Sequence, residues 1–324
     1  MFVEKERGLR MTNSMPEAVI RDYAEEEIKV LEQQINYNKK QHTHNNQVTQ
    51  TSFRQSTLKQ SISFQGTTRS GNAFVSVTLR PAAINTGIVF RRTDLSPACA
   101  IPATLQSLTP DVLPISLMKK GIAIKAVGHL LSAFSGLGID NVYVDVAGDE
   151  LPIMDGSACQ FVFLIESAGI MTQSALKHFI RIKEKVVLSK GSASAWMEPY
   201  EGFRVACEMY DKNSILKKYQ VELSSQAYIK EIVRARCNAG DLEEHECRYP
   251  DEPLRHLILD LVGYLYTLGF QIIGSVKIQQ AERGLHYPLM MRLLQQSQAW
   301  EHVTFQQGVY SRQATHPVLS AAAV

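Results

Sequence analysis

The sequence predicts an α+β protein of two domains, because strand-like segments and two helices occur in each half of the chain. The 324 residues suffice for about two domains. Hydrophobic residues make up 45% and charged residues 20%, as in an ordinary globular protein. The predicted parts are an N-terminal extension at 1–57, a first α+β domain at 58–174, a second at 175–308 and a C-terminal tail at 309–324.

The N-terminal extension is predicted to hold one helix, because residues 16–41 are rich in strong helix formers. Apolar residues recur there at helical spacing, at Ile20, Ala24, Ile28, Leu31 and Ile35. The run HTHNNQVTQT at 42–51 is polar, and its two histidines are explained by a polar tail more simply than by a metal site. The helix is either solvated or docked on a flexible tail, or it contacts a protein partner through residues 16–41.

The first α+β domain is predicted to contain strands and two helices. Residues 74–81, FVSVTLRP, alternate as a half-buried strand does. Further strand-like runs lie at 87–95, 121–127 and 141–153. The two helices are expected at 128–139 and 157–170, each ended by a glycine.

The second α+β domain repeats this organisation. Strand-like runs lie at 178–191, 194–202, 204–211 and 270–280. One helix is expected at 254–269, again ended by glycine, and a closing helix at 287–300. The two halves are not similar enough to indicate a sequence repeat.

Bulk charge and cysteine usage exclude several classes of protein. The net charge of +2 favours neither nucleic acid nor a membrane surface as a partner. The cysteines are odd in number and form no CxxC pair, which indicates reduced thiols in the cytoplasm. No apolar run reaches the roughly 18 residues of a membrane span, and the first twenty residues lack a signal-peptide core.

One predicted helix carries a candidate metal-binding pair. In LRHLILDLVGYL, His256 and Asp260 are four residues apart and lie on one helix face. His129 begins an earlier predicted helix. Two histidines and one aspartate suffice to hold a catalytic zinc, which acts as a Lewis acid. From spacing alone, a histidine that is simply packed in a core is the more common case.

Several stretches of the chain carry a family resemblance. They are VTLRPAAINTGIVFRRTDL, AVGHLLSAFSGLGIDNVYVDV, ELPIMDGSACQFVFLI, RARC, LRHLILDLVGYL, IIGS and AWEHVTF. Through them residues 58–305 resemble the UDP-3-O-acyl-N-acetylglucosamine deacetylases of bacterial lipid A synthesis. The resemblance implies two βααβ-type sandwich domains packed together, with the active cleft between them.

The resemblance also implies a metal site and a ligand. The family binds zinc through a His in an E-H-L segment and through the His and Asp of an R-H-x-x-x-D segment. Those positions are His129, His256 and Asp260 here. One Zn²⁺ and a UDP-acyl-amino-sugar ligand are therefore expected.

The proton-transfer positions depart from the family pattern. The family's general base, a Glu before the first zinc-binding His, is Gly128 here, and its general acid, a His, is Arg283. The Asp that supports the acid is Tyr264, and a further cleft His is Arg69. His286 lies near Arg283 in sequence and is a candidate substitute acid. No catalytic acid or base is therefore assigned.

Substrate-binding positions are altered as well. The family's Lys after the second zinc-binding His is Leu257, and its Thr–aromatic pair after R-A-R is Cys237–Asn238. The run that follows is shorter than in the family, and PISLMKKGIAIKA replaces a Thr-Cys-type strand.

These departures predict a divergent paralogue that keeps the zinc ligands but hydrolyses its ligand weakly or not at all. Each general acid or base supplies roughly 10²–10⁴-fold, so losing both costs on the order of 10⁴ or more. Such a protein would act by binding or in regulation. The alternatives are a working zinc deacetylase that uses His286 or Glu282, and a structural protein without metal.

Overall fold

The computed structural model describes residues 53–306 and 309–312, apart from 70, 72, 111–113, 212, 238–243 and 280–283. The predicted helix within 16–41 and the histidines of the run at 42–51 lie outside these residues.

Five α-helices and seventeen strands are formed by the described part of the chain. The helices are α1 (Gly128–Leu137), α2 (Cys159–Ala168), α3 (Ser225–Glu231), α4 (Glu252–Tyr266) and α5 (His286–Gln295). The strands of the first half are β1 (Arg54–Leu58), β2 (Ile62–Thr67), β3 (Phe74–Pro81), β4 (Ile88–Arg92), β5 (Cys99–Pro102), β6 (Leu117–Lys119), β7 (Ile122–Ile124), β8 (Val142–Val146) and β9 (Ile170–Leu176). Those of the second half are β10 (His178–Ile182), β11 (Val186–Lys190), β12 (Ala193–Glu198), β13 (Phe203–Tyr210), β14 (Leu216–Glu222), β15 (Gln271–Gln279), β16 (Trp300–Gln306) and β17 (Val309–Arg312).

A five-stranded sheet of order β2-β3-β8-β4-β5 forms the centre of the first half. Strand β3 alternates as predicted, with Val75, Val77 and Leu79 buried. Strands β4 and β8 are parallel, and the chain between them includes α1. Helix α1 ends at Gly138, which adopts φ +71° in the left-handed region that glycine enters without steric cost, as the sequence predicted.

An eight-stranded sheet forms the centre of the second half. Its main order is β11-β12-β15-β10-β16-β17, and β13 pairs with both β14 and β15. Strands β10 and β15 are parallel, and α3 and α4 lie between them in sequence. With two mixed sheets and helices between their strands, the α+β fold class predicted from the sequence is confirmed.

Several segments differ from the sequence predictions. Helix α3 forms where no helix was predicted, and β17 lies within the predicted C-terminal tail at 309–324. The run at 178–191 is two strands, β10 and β11, rather than one. The closing helix stops at Gln295, and the chain enters β16 at Trp300 to pair with β10. That pairing joins segments more than a hundred residues apart, which local sequence patterns do not encode.

The division at 174 remains a prediction. Residues 49–324 form one compact unit, and β1 pairs with β9 across the predicted start of the first domain and its predicted end. None of the helices among the described residues is long and apolar enough to cross a membrane. All five cysteines are free thiols, as the sequence indicated.

Helices α1 and α4 touch backbone to backbone at a pair of glycines. A Cβ atom added at Gly263 would lie 2.4 Å from the carbonyl oxygen of Gly128, closer than any side chain tolerates. A second link holds the same helices, since the hydroxyl of Tyr266 donates to the carbonyl of Ile139 just beyond α1. This close approach brings the first turn of α1 against the C-terminal half of α4.

Candidate metal centre and cleft

Three side chains from α1 and α4 meet where these helices touch. His129 is the second residue of α1, and His256 and Asp260 lie one turn apart on α4. The Nε2 atoms of His129 and His256 are 3.1 Å apart. Asp260 lies 3.5 Å from His129 Nε2 through Oδ1 and 3.6 Å from His256 Nδ1 through Oδ2. One ligand atom from each residue fits within 4.8 Å, so the cluster can hold a metal ion.

The protonation states of two cluster residues suit metal binding. Burial is the main cause that lowers the pKa of His256, which leaves its imidazole neutral. Burial raises the pKa of Asp260, but the neighbouring His256 and His129 outweigh it and bring the pKa to about 2. Neutral imidazole and ionised carboxylate are the forms that ligate a metal, and two imidazoles with one carboxylate are a donor set that zinc accepts.

A side chain at the position before His129 would meet the side chain of Ile115. A Cβ atom at Gly128 would lie 2.6 Å from Cδ1 of Ile115. Ile115 is 2% exposed, and its carbonyl accepts a hydrogen bond from Val127 N–H at 3.0 Å, which holds its backbone beside the start of α1. Ala126, two residues before Gly128, has φ +59°, a strained value for a residue with a Cβ. Ile115 thus fills the volume that a residue-128 side chain would take.

A cavity of about 800 Å³ opens onto the cluster. Apolar residues of its lining include Ile115, Ile153, Phe161, Met209 and Leu257. Its charged lining residues are Arg69, Lys190, Arg236 and Asp260. Among the described residues that line it, Asp260 is therefore the one carboxylate.

The structure brings most of the sequence-predicted site residues to this cavity. Besides the three cluster residues, the predicted positions that line it are Arg69, Gly128, Cys237, Leu257, Tyr264 and His286. Asn238, Glu282 and Arg283 lie outside the described residues.

His286 provides a further imidazole in the cavity. Its ring stacks on Tyr264 with centroids 4.8 Å apart and planes 6° from parallel. Burial lowers the pKa of His286 to about 4, against an opposing effect of Asp260. At neutral pH its imidazole is therefore uncharged, and so low a pKa makes it a weak proton acceptor.

A buried ion-pair network that sequence reasoning missed fixes the wall around Cys237. Glu252, fully buried at the start of α4, pairs with Arg236 Nε at 2.8 Å and accepts from the backbone N–H groups of Arg236 and Arg248. Cys237 N–H donates to the carbonyl of Gly156 at 2.9 Å. The sequence shows Glu252 two residues before LRHL and Arg236 in RARC. It carries no pattern that indicates an ion pair between these two residues, which are sixteen positions apart across a loop.

Comparison with known proteins identifies the family. The family model described as LpxC, UDP-3-O-acyl N-acetylglycosamine deacetylase, matches residues 55–240 and 238–295. The chain belongs to the LpxC family. This confirms the resemblance inferred from the sequence motifs.

Curated LpxC-family relatives match over most of their own length. The UDP-3-O-acyl-N-acetylglucosamine deacetylase of Saccharophagus degradans is 39% identical over 286 residues, covering 78% of this chain and 94% of the relative. Those of Teredinibacter turnerae and Coxiella burnetii are each 39% identical over 285 residues, with the same coverage.

Proposed function

We propose that this LpxC-family chain binds one zinc ion through His129, His256 and Asp260 and hydrolyses its ligand very slowly or not at all. The gathering of these three donors within 4.8 Å, beside a position 128 that carries no side chain, is the observation that carries the proposal. A zinc ion held by these residues would supply Lewis-acid activation of a carbonyl group.

The loss of a base is supported by the packing as well as by the sequence. Gly128 has no proton-accepting group, and the space beside it belongs to Ile115. Asp260, the one carboxylate among the described lining residues, faces both histidines and is engaged as a ligand in this proposal. A general base contributes roughly 10²–10⁴-fold, so zinc alone leaves little turnover.

Binding, or regulation through binding, is then the role left to the cavity. The curated relatives are named for a UDP-linked, acylated N-acetylglucosamine, and we propose a UDP-acyl-amino sugar as the ligand class here. Leu257 and Cys237 line the cavity where the family resemblance implies Lys and Thr, so contacts to that ligand differ. A protein partner that binds residues 16–41 fits the same role, and the five free thiols favour a cytoplasmic location.

Zinc content and acetate release, measured on the same preparation of full-length protein, test the proposal. We expect the wild type to bind one zinc per chain and His256→Ala to lose it. We expect the wild type to release acetate no faster than His256→Ala does. A wild-type rate that exceeds the rate of His256→Ala by more than about 10⁴-fold would contradict the loss of catalytic groups.

A working deacetylase is the second candidate, favoured by the location of His286 in the lining of the cavity. In that case His286 acts as the proton acceptor in place of the missing carboxylate. A wild-type rate that His286→Ala lowers by roughly 10²–10⁴-fold, with zinc content unchanged, would favour it. Tyr287→Ala, a change of a neighbouring lining residue, is the matched control.

A further inference from the structure

We propose that the cavity is an oxyanion receptor, in which Arg69 holds a carboxylate or phosphate group beside the metal-binding cluster. This inference rests on the zinc binding proposed above. It adds a ligand chemistry and a recognition residue at a position where the family resemblance implies a histidine.

Arg69 lines the cavity and is exposed to solvent. It follows β2, and its backbone N–H donates to Glu150 Oε1 at 3.2 Å. Among the described residues, no carboxylate lies within ion-pair distance of its guanidinium. Arg69 lines the same cavity as His129, His256 and Asp260. Its cation therefore faces the space beside the cluster and is not neutralised by a described partner.

The other charged groups of the lining leave the cavity positive once a divalent ion is present. Arg236 is neutralised by Glu252 at 2.8 Å. Lys190 adds a second cation without a described carboxylate partner. Asp260 is the one acidic group among the described lining residues, and Gly128 supplies none. A ligand that enters beside the metal is therefore favoured if it carries negative charge.

The geometry of a guanidinium narrows that ligand to an oxyanion. Arginine presents a planar fork of N–H donors that matches the paired oxygens of carboxylate or phosphate, and such charge-assisted bonds are the strong ones. A carboxylate or phosphate oxygen is also a donor that zinc accepts. Both interactions select the same chemistry, and neither requires the proton-transfer groups that this chain lacks.

Anion titration of the cobalt(II)-loaded protein tests the inference, because the visible spectrum of cobalt reports changes at the metal without any turnover. Acetate and inorganic phosphate are titrated separately at constant ionic strength, with chloride as the balancing salt. Metal content is measured first for every variant. Arg69→Gln removes the cation, Arg69→Lys keeps the charge without the fork, and Arg204→Gln removes an arginine outside the cavity.

We expect one or both oxyanions to change the spectrum, and the anion that does so identifies which group is recognised. Arg69→Gln should weaken that binding by about ten- to a hundred-fold with full metal content, because it removes a charged hydrogen-bond donor. Arg69→Lys should bind the anion with an affinity between those of the wild type and Arg69→Gln, and Arg204→Gln should bind it as tightly as the wild type does. Equal affinity in fully loaded Arg69→Gln, or a loaded wild type that responds to neither anion, overturns the receptor and leaves the metal site standing. A wild type that takes up no metal overturns the proposed function itself.

Discussion

A glutamate introduced at Gly128 should disrupt packing before it can restore chemistry. The first atom of the new side chain would meet Ile115 Cδ1 at 2.6 Å, Cγ1 at 3.1 Å and Cβ at 3.4 Å. Ile115 is 2% exposed and also lines the cavity, so its side chain has to shift to admit the new one. Overpacking of this kind costs about 1–3 kcal/mol. At about 2–4 °C per kcal/mol, Gly128→Glu should therefore melt ~5 °C below the wild type.

A double-mutant cycle measures this conflict directly. Ile115→Ala alone leaves a cavity and should cost about 2–5 kcal/mol, whereas in the double variant the glutamate chain occupies the vacated space. The double variant should therefore be more stable than the sum of the single changes by about 1–3 kcal/mol. Urea unfolding of the four proteins, with matched metal content, gives the coupling energy.

A second double-mutant cycle, at a buried isoleucine elsewhere in the fold, is the control. Ile180 is fully buried in β10, so Ile180→Ala combined with Gly128→Glu should be additive. If Gly128→Glu and Ile115→Ala are also additive, or if Gly128→Glu alone is as stable as the wild type, Ile115 does not fill the space of a residue-128 side chain. The base position would then have been lost without repacking.

Three further perturbations follow from the same contacts. Gly263→Ala should destabilise the protein by more than about 3 kcal/mol and lower its metal content, because the added methyl meets the Gly128 carbonyl at 2.4 Å. A denaturation midpoint close to that of the wild type would contradict this. A chelator should lower the melting temperature of zinc-loaded wild type but not of His256→Ala, with a stabilisation of about 2.7 kcal/mol at a free zinc concentration of 100 Kd. Burial raises the pKa of Glu252, but Arg236 outweighs this and holds the pKa below its usual value. The contribution of ionised Glu252 to the free energy of unfolding is therefore present above about pH 4.5, and it is lost as the pH falls through the lowered pKa. Glu252→Gln should cost about 3 kcal/mol at pH 7 and flatten the fall in stability on the acid side; an unchanged acid slope in urea unfolding would refute the pairing.

The sequence by itself determined the local structure and the chemistry of single positions. Periodicity within a few residues predicted the strand β3, the helices α1, α2, α4 and α5, and the glycine end of α1, because such patterns depend on neighbours along the chain. It placed His256 and Asp260 on one face of α4 for the same reason. It also showed that Gly128 carries no carboxylate, since that is a matter of covalent structure alone.

Only the tertiary structure decided what lies around those positions. His129 and His256 are 127 residues apart, and they meet because two glycines let α1 and α4 approach backbone to backbone. The same holds for Ile115 in the space beside Gly128. Contacts between distant segments depend on how whole elements pack, and no pattern within one segment records which distant side chain will fill its neighbouring space.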